Sequence, residues 1–373
     1  MTVSFRSTFP AGNGRAFEKI GEDHFTFEVE LYGGELGLWF YFCAEGAADR
    51  TLTFDLRGAD HLLEWPQFFG AVRPVYGRPG AWRRVREPAV VVADHNALRF
   101  AVRCEQDPTY VAFCYPYVMK DLDRFRGPLL LHSQVREKII AHSSQKHPVH
   151  VWEIGKGRSG VWVTCRHHAG ESPASLVLEG LVAAALSPSQ RDVLTAATMR
   201  VCPMVDVDNV ESGAYGKFGP PCDPWQDWGP QPQLPQIRAL QEYFAAVDDR
   251  PCLYIDLHCP EPCGSTYAAT WNQSMGADWL YCDRVDAFCA ALHEASNDPL
   301  KVDLSRCHAY PQWYLNISNH SQGYFKDRFG CVSLTLETSY HWSSGGDYPD
   351  EESYRTFGEA LCRAVRTMVE AAG

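Results

Sequence analysis

Apolar runs in the second half of the chain are each followed by a residue that can bind a metal ion or move a proton. The runs lie at 160–165, 252–257 and 332–336. Continuous apolar runs of this length are typical of strands buried on both faces of a sheet. Segments 174–186, 234–248, 281–297 and 351–372 have apolar residues at helical spacing between and around these runs. This alternation predicts an α/β domain with helices packed on a sheet.

The first third of the chain has a different pattern. From His24 to Pro116, short alternating runs such as 25–31, 52–56 and 89–92 are separated by turn residues. Short strands at this spacing are typical of an antiparallel β-sandwich. We therefore predict two domains, a β-sandwich at 1–120 and an α/β/α catalytic domain with a mixed sheet at 121–373.

The segment after the first apolar run predicts a metal site. His168 and Glu171 are three residues apart, and Ser172-Pro173 resembles an N-cap followed by proline at the first helical position. A histidine after a strand and a glutamate at the start of a helix can face one ion. Catalytic zinc usually takes three protein ligands and leaves one position for water, and His258 at the end of the second run is the expected third ligand.

The ends of parallel strands meet at one edge of a sheet, so Glu337 at the end of the third run is expected beside this site. It is the candidate catalytic base. Asp256 alternates with His258 and is expected to orient a histidine as an outer carboxylate. His167 is the competing ligand beside His168, but the His-x-x-Glu spacing fits only His168. We therefore predict one Zn²⁺ ion held by His168, Glu171 and His258.

These residues resemble the zinc metallocarboxypeptidase family, and in particular its cytosolic carboxypeptidase-like bacterial branch. The resemblance rests on His-Ala-Gly-Glu at 168–171, Ile-Asp-Leu-His at 255–258 and Leu-Thr-Leu-Glu-Thr at 334–338. It extends to Phe-Cys-Tyr-Pro-Tyr at 113–117, which is similar to a segment at the junction of the branch's sandwich and catalytic domain. Residues 203–210 resemble the family's Pro-Met-x-Asn-x-Asp-Gly-Val turn. The resemblance implies that Glu337 acts first as general base and then as general acid.

The chain departs from the family where substrates are bound. Relatives carry Asp-x-Asn-Arg-x-Trp, whose Asn and Arg hold the terminal carboxylate of the substrate, whereas Trp225 and Gln226 occupy those two positions here. An uncharged glutamine cannot form the two-pronged contact of a guanidinium with a carboxylate. Lys217 is the nearest cation to the position of a second family arginine, which polarises the scissile carbonyl.

Segment 313–328 supplies further candidates for the substrate pocket. Tyr314 and Tyr324 are candidates for the family's mobile tyrosine, and Arg328 could provide the carboxylate contact that Gln226 cannot. Packing in the core or exposure at the surface is the alternative explanation for all three residues. Residues 211–235, rich in Gly, Pro and Trp, are expected to form a long loop near the cleft.

Composition limits the partners. The net charge of −12 argues against a surface for nucleic acid, which needs clustered Lys and Arg. No apolar stretch approaches the roughly 18 residues of a membrane span, and residues 1–20 lack an export signal, so we expect no membrane partner and a cytoplasmic protein. The 14 cysteines are then expected as free, mostly buried thiols. Cys259 and Cys263, after His258, are expected to form a wall of the site.

The function predicted from the sequence is zinc-dependent hydrolysis of an amide bond. A carboxypeptidase with non-standard recognition of the terminal carboxylate is the first hypothesis. A deacylase of small N-acyl compounds is the alternative, and a zinc-binding interaction protein without turnover is a third. The intact Glu337 argues against the third hypothesis.

Overall fold

The computed structural model describes residues 2–34, 37–58, 69–190, 192–262, 264–307, 319–342 and 347–372. Strands β1 to β10 form two five-stranded sheets in the N-terminal part. The first sheet has the order β1 (Ser4–Arg6), β4 (Tyr41–Glu45), β10 (Thr109–Ala112), β6 (Val75–Arg78), β7 (Ala81–Arg84). The second has the order β2 (Arg15–Lys19), β3 (His24–Glu28), β5 (Arg50–Arg57), β9 (Ala97–Cys104), β8 (Val90–Val92).

Phenylalanine rings fill the space between these two sheets. Phe27 of β3 is fully buried and lies 5.1 Å from Phe42 and 6.1 Å from Phe54, measured between ring centroids. Such ring pairs contribute about 0.5–1.5 kcal/mol beyond the area they bury. The predicted sandwich of mainly antiparallel strands is confirmed, with one parallel pair between β3 and β5.

The rest of the chain is built on a seven-stranded mixed sheet. Its order is β11 (Val135–His142), β12 (Pro148–Gly155), β14 (Ala197–Cys202), β13 (Ser159–Cys165), β15 (Pro251–His258), β17 (Val332–Glu337), β16 (Tyr267–Ala269). The four strands β14, β13, β15 and β17 are parallel. The three apolar runs of the sequence are therefore the three adjacent central strands β13, β15 and β17.

Helices cover both faces of this sheet. They are α1 (Met119–Leu129), α2 (Pro173–Leu186), α3 (Asp192–Ala196), α4 (Val207–Ser212), α5 (Pro235–Ala246), α6 (Trp279–Ala295), α7 (Ser321–Phe329) and α8 (Glu351–Ala372). On one face, Leu253 and Ile255 of β15 pack in a core with α2, α6 and α8. On the other face, Tyr254 packs in a second core with α5 and α7. The predicted α/β/α arrangement is confirmed.

Helices α2 and α8 approach each other closely at two glycines. A Cβ atom on Gly358 would lie 2.1 Å from the carbonyl oxygen of Val177, and one on Gly180 would lie 2.0 Å from that of Arg355. Both glycines are therefore required for packing. Among the described residues, no helix has the length and apolar character needed to cross a bilayer.

We predict that Gly358→Ala lowers the free energy of unfolding by about 1–3 kcal/mol or more, because the added methyl group must push two helices apart. Gly127→Ala in α1 is the matched control, since no atom lies within 4 Å of the position that its added methyl group would take and alanine favours a helix. Urea unfolding of both variants measures the difference. Equal stability of the two variants would contradict the close contact.

Candidate metal centre

The parallel register of the central strands brings the predicted residues to one edge of the sheet. His258 at the end of β15 pairs with Glu337 at the end of β17. Cys165 at the end of β13 pairs with Leu257, so the chain enters the segment of His168 beside His258. His168, Glu171, His258 and Glu337 are all buried. The structure thus gathers the four residues at one place.

A buried arginine shapes the turn between β13 and α2. Arg166 has a left-handed backbone with φ 62°. Its Nε donates to the carbonyl oxygen of Ala169 at 3.0 Å, and its Nη1 donates to the carbonyl oxygen of Tyr117 and to Ser175 Oγ. A buried guanidinium is costly unless it is hydrogen-bonded. These bonds close the turn so that His168 and Glu171 face the same side.

Gly170 is required in the same turn. Its N–H donates to the carbonyl oxygen of Tyr215 at 2.8 Å, and a Cβ atom would lie 2.4 Å from the Tyr215 ring. The following Ser172 is in the helical region, and its hydroxyl makes no capping bond to α2. Ser172 therefore occupies the N-cap position and Pro173 begins the helix, both as predicted, but the Ser172 side chain does not cap α2.

Nitrogen and oxygen donor atoms converge at the centre of the site. Nδ1 of His168 lies 2.9 Å from Glu171 Oε1, and Nδ1 of His258 lies 2.8 Å from Glu171 Oε2. The two Nδ1 atoms are 3.2 Å apart. Two imidazole nitrogens and a carboxylate at such short separations form the kind of donor set that holds a divalent metal ion.

A second group, made of His167, Asp256 and His258, also has its donor atoms close together. Both ring nitrogens of His167 are used, however. Trp228 Nε1 donates to Nε2 of His167 at 3.1 Å, so Nδ1 carries the proton and donates to Asp256 Oδ1 at 2.8 Å. His167 therefore has no lone pair left for a metal ion, and the donors around His168 are the better candidates.

Two buried aspartates orient the histidines from outside. Asp256 Oδ2 lies 3.2 Å from Nε2 of His258, which leaves Nδ1 of that ring facing the centre. Asp223 Oδ1 lies 3.1 Å from Nε2 of His168 and also accepts from the N–H of Trp225. Outer carboxylates of this kind fix ring orientation and tautomer in metal sites. The role of Asp256 follows the sequence pattern, whereas that of Asp223 did not emerge from the sequence.

Charge is concentrated at this edge. Burial alone would raise the pKa of Glu171, but the facing rings of His168 and His258 hold that pKa well below its usual range. Burial raises the pKa of Glu337 to about 7, and the neighbouring Glu171 adds to the rise while His258 and Lys217 oppose it. Glu337 Oε2 is buried without a hydrogen-bond partner among the described residues. Such a carboxylate is suited to accept a proton near neutral pH.

The structure places the predicted substrate residues at different distances from this centre. The positive charge of Lys217 contributes to the lowered pKa of Asp223 and opposes the rise in the pKa of Glu337, and the N–H of the next residue, Phe218, donates to Asp223 Oδ2 at 3.3 Å. The ring of buried Trp225 lies 6.4 Å from that of His168. Gln226 is half-buried in the same segment. Residues 213–234 contain no helix or strand, as expected for the loop.

Tyr324 and Arg328 lie on α7. Tyr324 packs against Trp228 and Phe325, with ring centroids 5.3 Å away in both cases, and Arg328 is exposed in the last turn. Within the described part of the chain, no hydrogen bond or ion pair joins either residue to the four central side chains. Tyr314 and Cys263 lie outside the described residues. Their predicted roles stay predictions.

Cys259 forms part of the wall, as expected. Its N–H donates to Glu171 Oε2 at 3.0 Å, and its thiol lies 3.9 Å from the carbonyl oxygen of Glu171. All cysteines within the described ranges are free thiols, and most are buried. Cys259 therefore supports a site residue through its backbone.

Among known proteins, the chain is similar in sequence to cytosolic carboxypeptidases. No protein-family model matches the chain. Cytosolic carboxypeptidase 6 of Caenorhabditis elegans is 22% identical over an alignment of 422 positions, gaps included. The alignment covers 98% of this chain and 87% of that protein. Cytosolic carboxypeptidase 2 of Xenopus tropicalis is 25% identical over 57% of this chain, and the matched region spans 25% of that longer protein.

Solved structures show the fold. A metallo-carboxypeptidase from Burkholderia cenocepacia has a TM-score of 0.87 and 22% identity, with full coverage of both chains. A metallo-carboxypeptidase from Pseudomonas aeruginosa, in complex with (2-guanidinoethylmercapto)succinic acid, has a TM-score of 0.84 and 18% identity over 98% of this chain and 99% of that one. The chain therefore has the fold of these bacterial proteins along almost its whole length.

Proposed function

We propose that this chain, a cytosolic-carboxypeptidase-like member of the metallocarboxypeptidases, is a zinc enzyme that hydrolyses the last peptide bond of its substrates. The observation that carries the proposal is the convergence of Nδ1 of His168, Nδ1 of His258 and the carboxylate of Glu171 beside Glu337. The relatives are named as carboxypeptidases, which does not favour the deacylase alternative.

The donor set fits zinc. Zinc takes nitrogen and oxygen ligands at about 2.0–2.1 Å, which sets neighbouring donor atoms of a tetrahedral site about 3.3 Å apart. The separations of 2.8, 2.9 and 3.2 Å between the donor atoms are close to that value. His168, Glu171 and His258 would hold the ion and leave a fourth position open. When bound, zinc supplies a Lewis acid that polarises a carbonyl and makes water more acidic.

Glu337 is proposed to move the proton. Burial keeps the pKa of its carboxyl group near 7, so it can accept a proton from the attacking water and then give it to the leaving amine. Its Oε2 has no competing hydrogen bond among the described residues. Because the reaction needs both transfers, one carboxylate beside the scissile bond serves as base and acid in turn.

Lys217, the sequence candidate for the cation that polarises the scissile carbonyl, is proposed instead to bind the substrate's terminal carboxylate, because the other candidate, Arg328, is exposed in the last turn of α7. Trp225 and Gln226 stand where relatives have Asn and Arg, and neither carries a positive charge. The positive charge of Lys217 opposes the rise in the pKa of Glu337, and the N–H of the next residue, Phe218, donates to Asp223 beside His168, which supports this role. A single ammonium provides charge without the two-pronged geometry of arginine. We therefore propose peptides with a free C-terminus as substrates. A cytoplasmic location is proposed from the free thiols and the cytosolic relatives.

We predict that His168→Ala and His258→Ala each abolish stoichiometric zinc binding, because two remaining ligands cannot hold a catalytic ion. Elemental analysis of protein purified with limiting zinc measures the ratio of metal to chain. His167→Ala is the matched control, since both nitrogens of that ring are already bonded within the protein. If His167→Ala loses zinc while His168→Ala keeps it, the metal site would instead be the group of His167, Asp256 and His258.

Glu337→Gln is expected to keep zinc and to lower kcat by about 10²–10⁴-fold, because the amide keeps the shape of the side chain but cannot accept the proton. The measurement is release of C-terminal residues from peptides by the zinc-loaded variant. Turnover at the wild-type rate would exclude Glu337 as the base.

Lys217→Ala is expected to lower kcat/KM for free-carboxylate peptides by about 10–100-fold, the loss expected for one charged hydrogen bond of about 1.5–3 kcal/mol. Lys217→Arg should recover most of the activity that Lys217→Ala loses. C-terminally amidated peptides should be poor substrates for both of these variants. If amidated peptides are cleaved as fast as free acids, the proposed carboxylate contact is wrong.

A further inference from the structure

The N-terminal sandwich contacts the loop that carries Lys217 through one buried side chain. Asn13 is 3% exposed, and its Nδ2 donates to the carbonyl oxygen of Gly213 at 2.8 Å and to that of Glu30 at 3.0 Å. Its Oδ1 accepts from the N–H of Glu30 at 2.8 Å. Both donors and the acceptor of the amide are therefore used. An asparagine side chain offers two N–H donors and one oxygen acceptor, whereas an aspartate of the same length offers no donor.

Further contacts hold the same stretch of backbone. The N–H of Ala11 donates to the carbonyl oxygen of Glu211 at 2.9 Å, and the Tyr32 hydroxyl donates to that of Ser212 at 2.7 Å. A Cβ atom on Gly213 would lie 2.5 Å from the carbonyl oxygen of Gly12. The two backbones therefore meet without side chains between them, and the start of the loop is fixed to the sandwich.

From Gly213 the loop leads directly to the metal centre. The backbone carbonyl oxygen of Tyr215 accepts a hydrogen bond from the N–H of Gly170, and Gly170 lies between His168 and Glu171 in the sequence. A Cβ atom on Gly216 would lie 2.8 Å from the backbone nitrogen of Ala169. Lys217 follows at once, and the N–H of Phe218 donates to Asp223, the outer partner of His168. The anchored segment therefore continues into residues that touch the metal-ligand turn.

The sandwich also contacts Tyr340, which faces the Tyr215 hydroxyl from the segment after Glu337. The Tyr215 hydroxyl lies 3.4 Å from that of Tyr340, three residues after Glu337. Tyr340 packs edge to face on Phe113, with ring centroids 5.2 Å apart, and Arg84 Nη1 lies 2.8 Å from Nδ1 of His341. Contacts from the sandwich thus reach the loops on both sides of the centre.

We propose that Asn13 is a positioning residue of the active site, which fixes the segment at 211–218, from the end of α4 into the loop, so that Lys217 faces the substrate and Asp223 meets His168. The sandwich is then a part of the catalytic apparatus that the catalytic domain needs for substrate binding. The inference rests on the proposed role of Lys217 in substrate binding.

The test is a double-mutant cycle between Asn13→Ala and Lys217→Ala. When it is assayed with saturating zinc, Asn13→Ala is expected to lower kcat/KM for a free-carboxylate peptide about tenfold or more, mainly through KM. If Asn13 acts through Lys217, it should cost little more in the Lys217→Ala background, because coupled residues are not additive. Fully additive losses would overturn the proposal.

Ser7→Ala is the matched control for general loss of stability. Its hydroxyl donates to the carbonyl oxygen of Gly14 at 2.8 Å, entirely within the sandwich. This variant should lower Tm without changing kcat/KM. An equal loss of kcat/KM in Ser7→Ala and Asn13→Ala at matched Tm would show that Asn13 is merely structural. If Asn13→Ala fails to fold, Tyr32→Phe removes a single bond to the same loop and takes its place in the cycle.

Hydrogen exchange provides a readout that does not depend on catalysis. In Asn13→Ala, the amides of Gly170 and Phe218 should exchange faster than in the wild type, while those of the distant strand β5 should not change. Unchanged exchange at Gly170 and Phe218 would overturn the positioning role. An inactive wild-type protein with the expected exchange would instead refute the proposed function and leave the contact between sandwich and loop supported.

Discussion

The parallel register of β13, β15 and β17 is the constraint on which the site depends. His258 and Glu337 face the same region because their strands pair at that position, and Cys165 pairs with Leu257 one step before. A slip of one residue would turn His258 to the opposite face of the sheet. The odd-numbered residues Leu253 and Ile255 prevent such a slip, because they are fully buried against α2 and α8. Ordinary core packing therefore sets the geometry of the metal centre.

Burial of charge is the second constraint. Glu171, Asp256 and both facing histidines are buried, and such groups are costly away from water unless they are paired or bind a metal ion. Asp223 bonds to the outer nitrogen of His168, and Asp256 lies 3.2 Å from the outer nitrogen of His258 as an ion-pair partner. The two Nδ1 nitrogens and the Glu171 carboxylate face one another at the centre, and Oε2 of that carboxylate also accepts from the N–H of Cys259. A divalent cation is the group that would satisfy all of them at once, which is why the donor set carries the functional proposal.

Much of this arrangement could be predicted from the sequence. Strand β17 and helix α8 have the predicted bounds, and the four central residues follow from the ends of apolar runs. The roles of Asp223, Arg166 and Asn13 could not be predicted, because each bonds to residues remote in sequence or to backbone atoms. Nothing in the local pattern distinguishes Asn13 from a surface asparagine, since its partner Gly213 lies 200 positions away. Residues whose contacts depend on the packing of two sheets become visible only in the fold.

X-ray absorption at the zinc edge tests the proposed zinc site most directly, because it distinguishes imidazole and carboxylate ligands from the nearby thiols. We predict a first shell of nitrogen and oxygen atoms at about 2.0–2.1 Å with the outer scattering of two imidazole rings. The same spectrum from His258→Ala protein should lose one ring. A sulfur shell at about 2.3 Å, or scattering from a single imidazole in the wild type, would contradict the assignment of His168, Glu171 and His258 as the metal ligands.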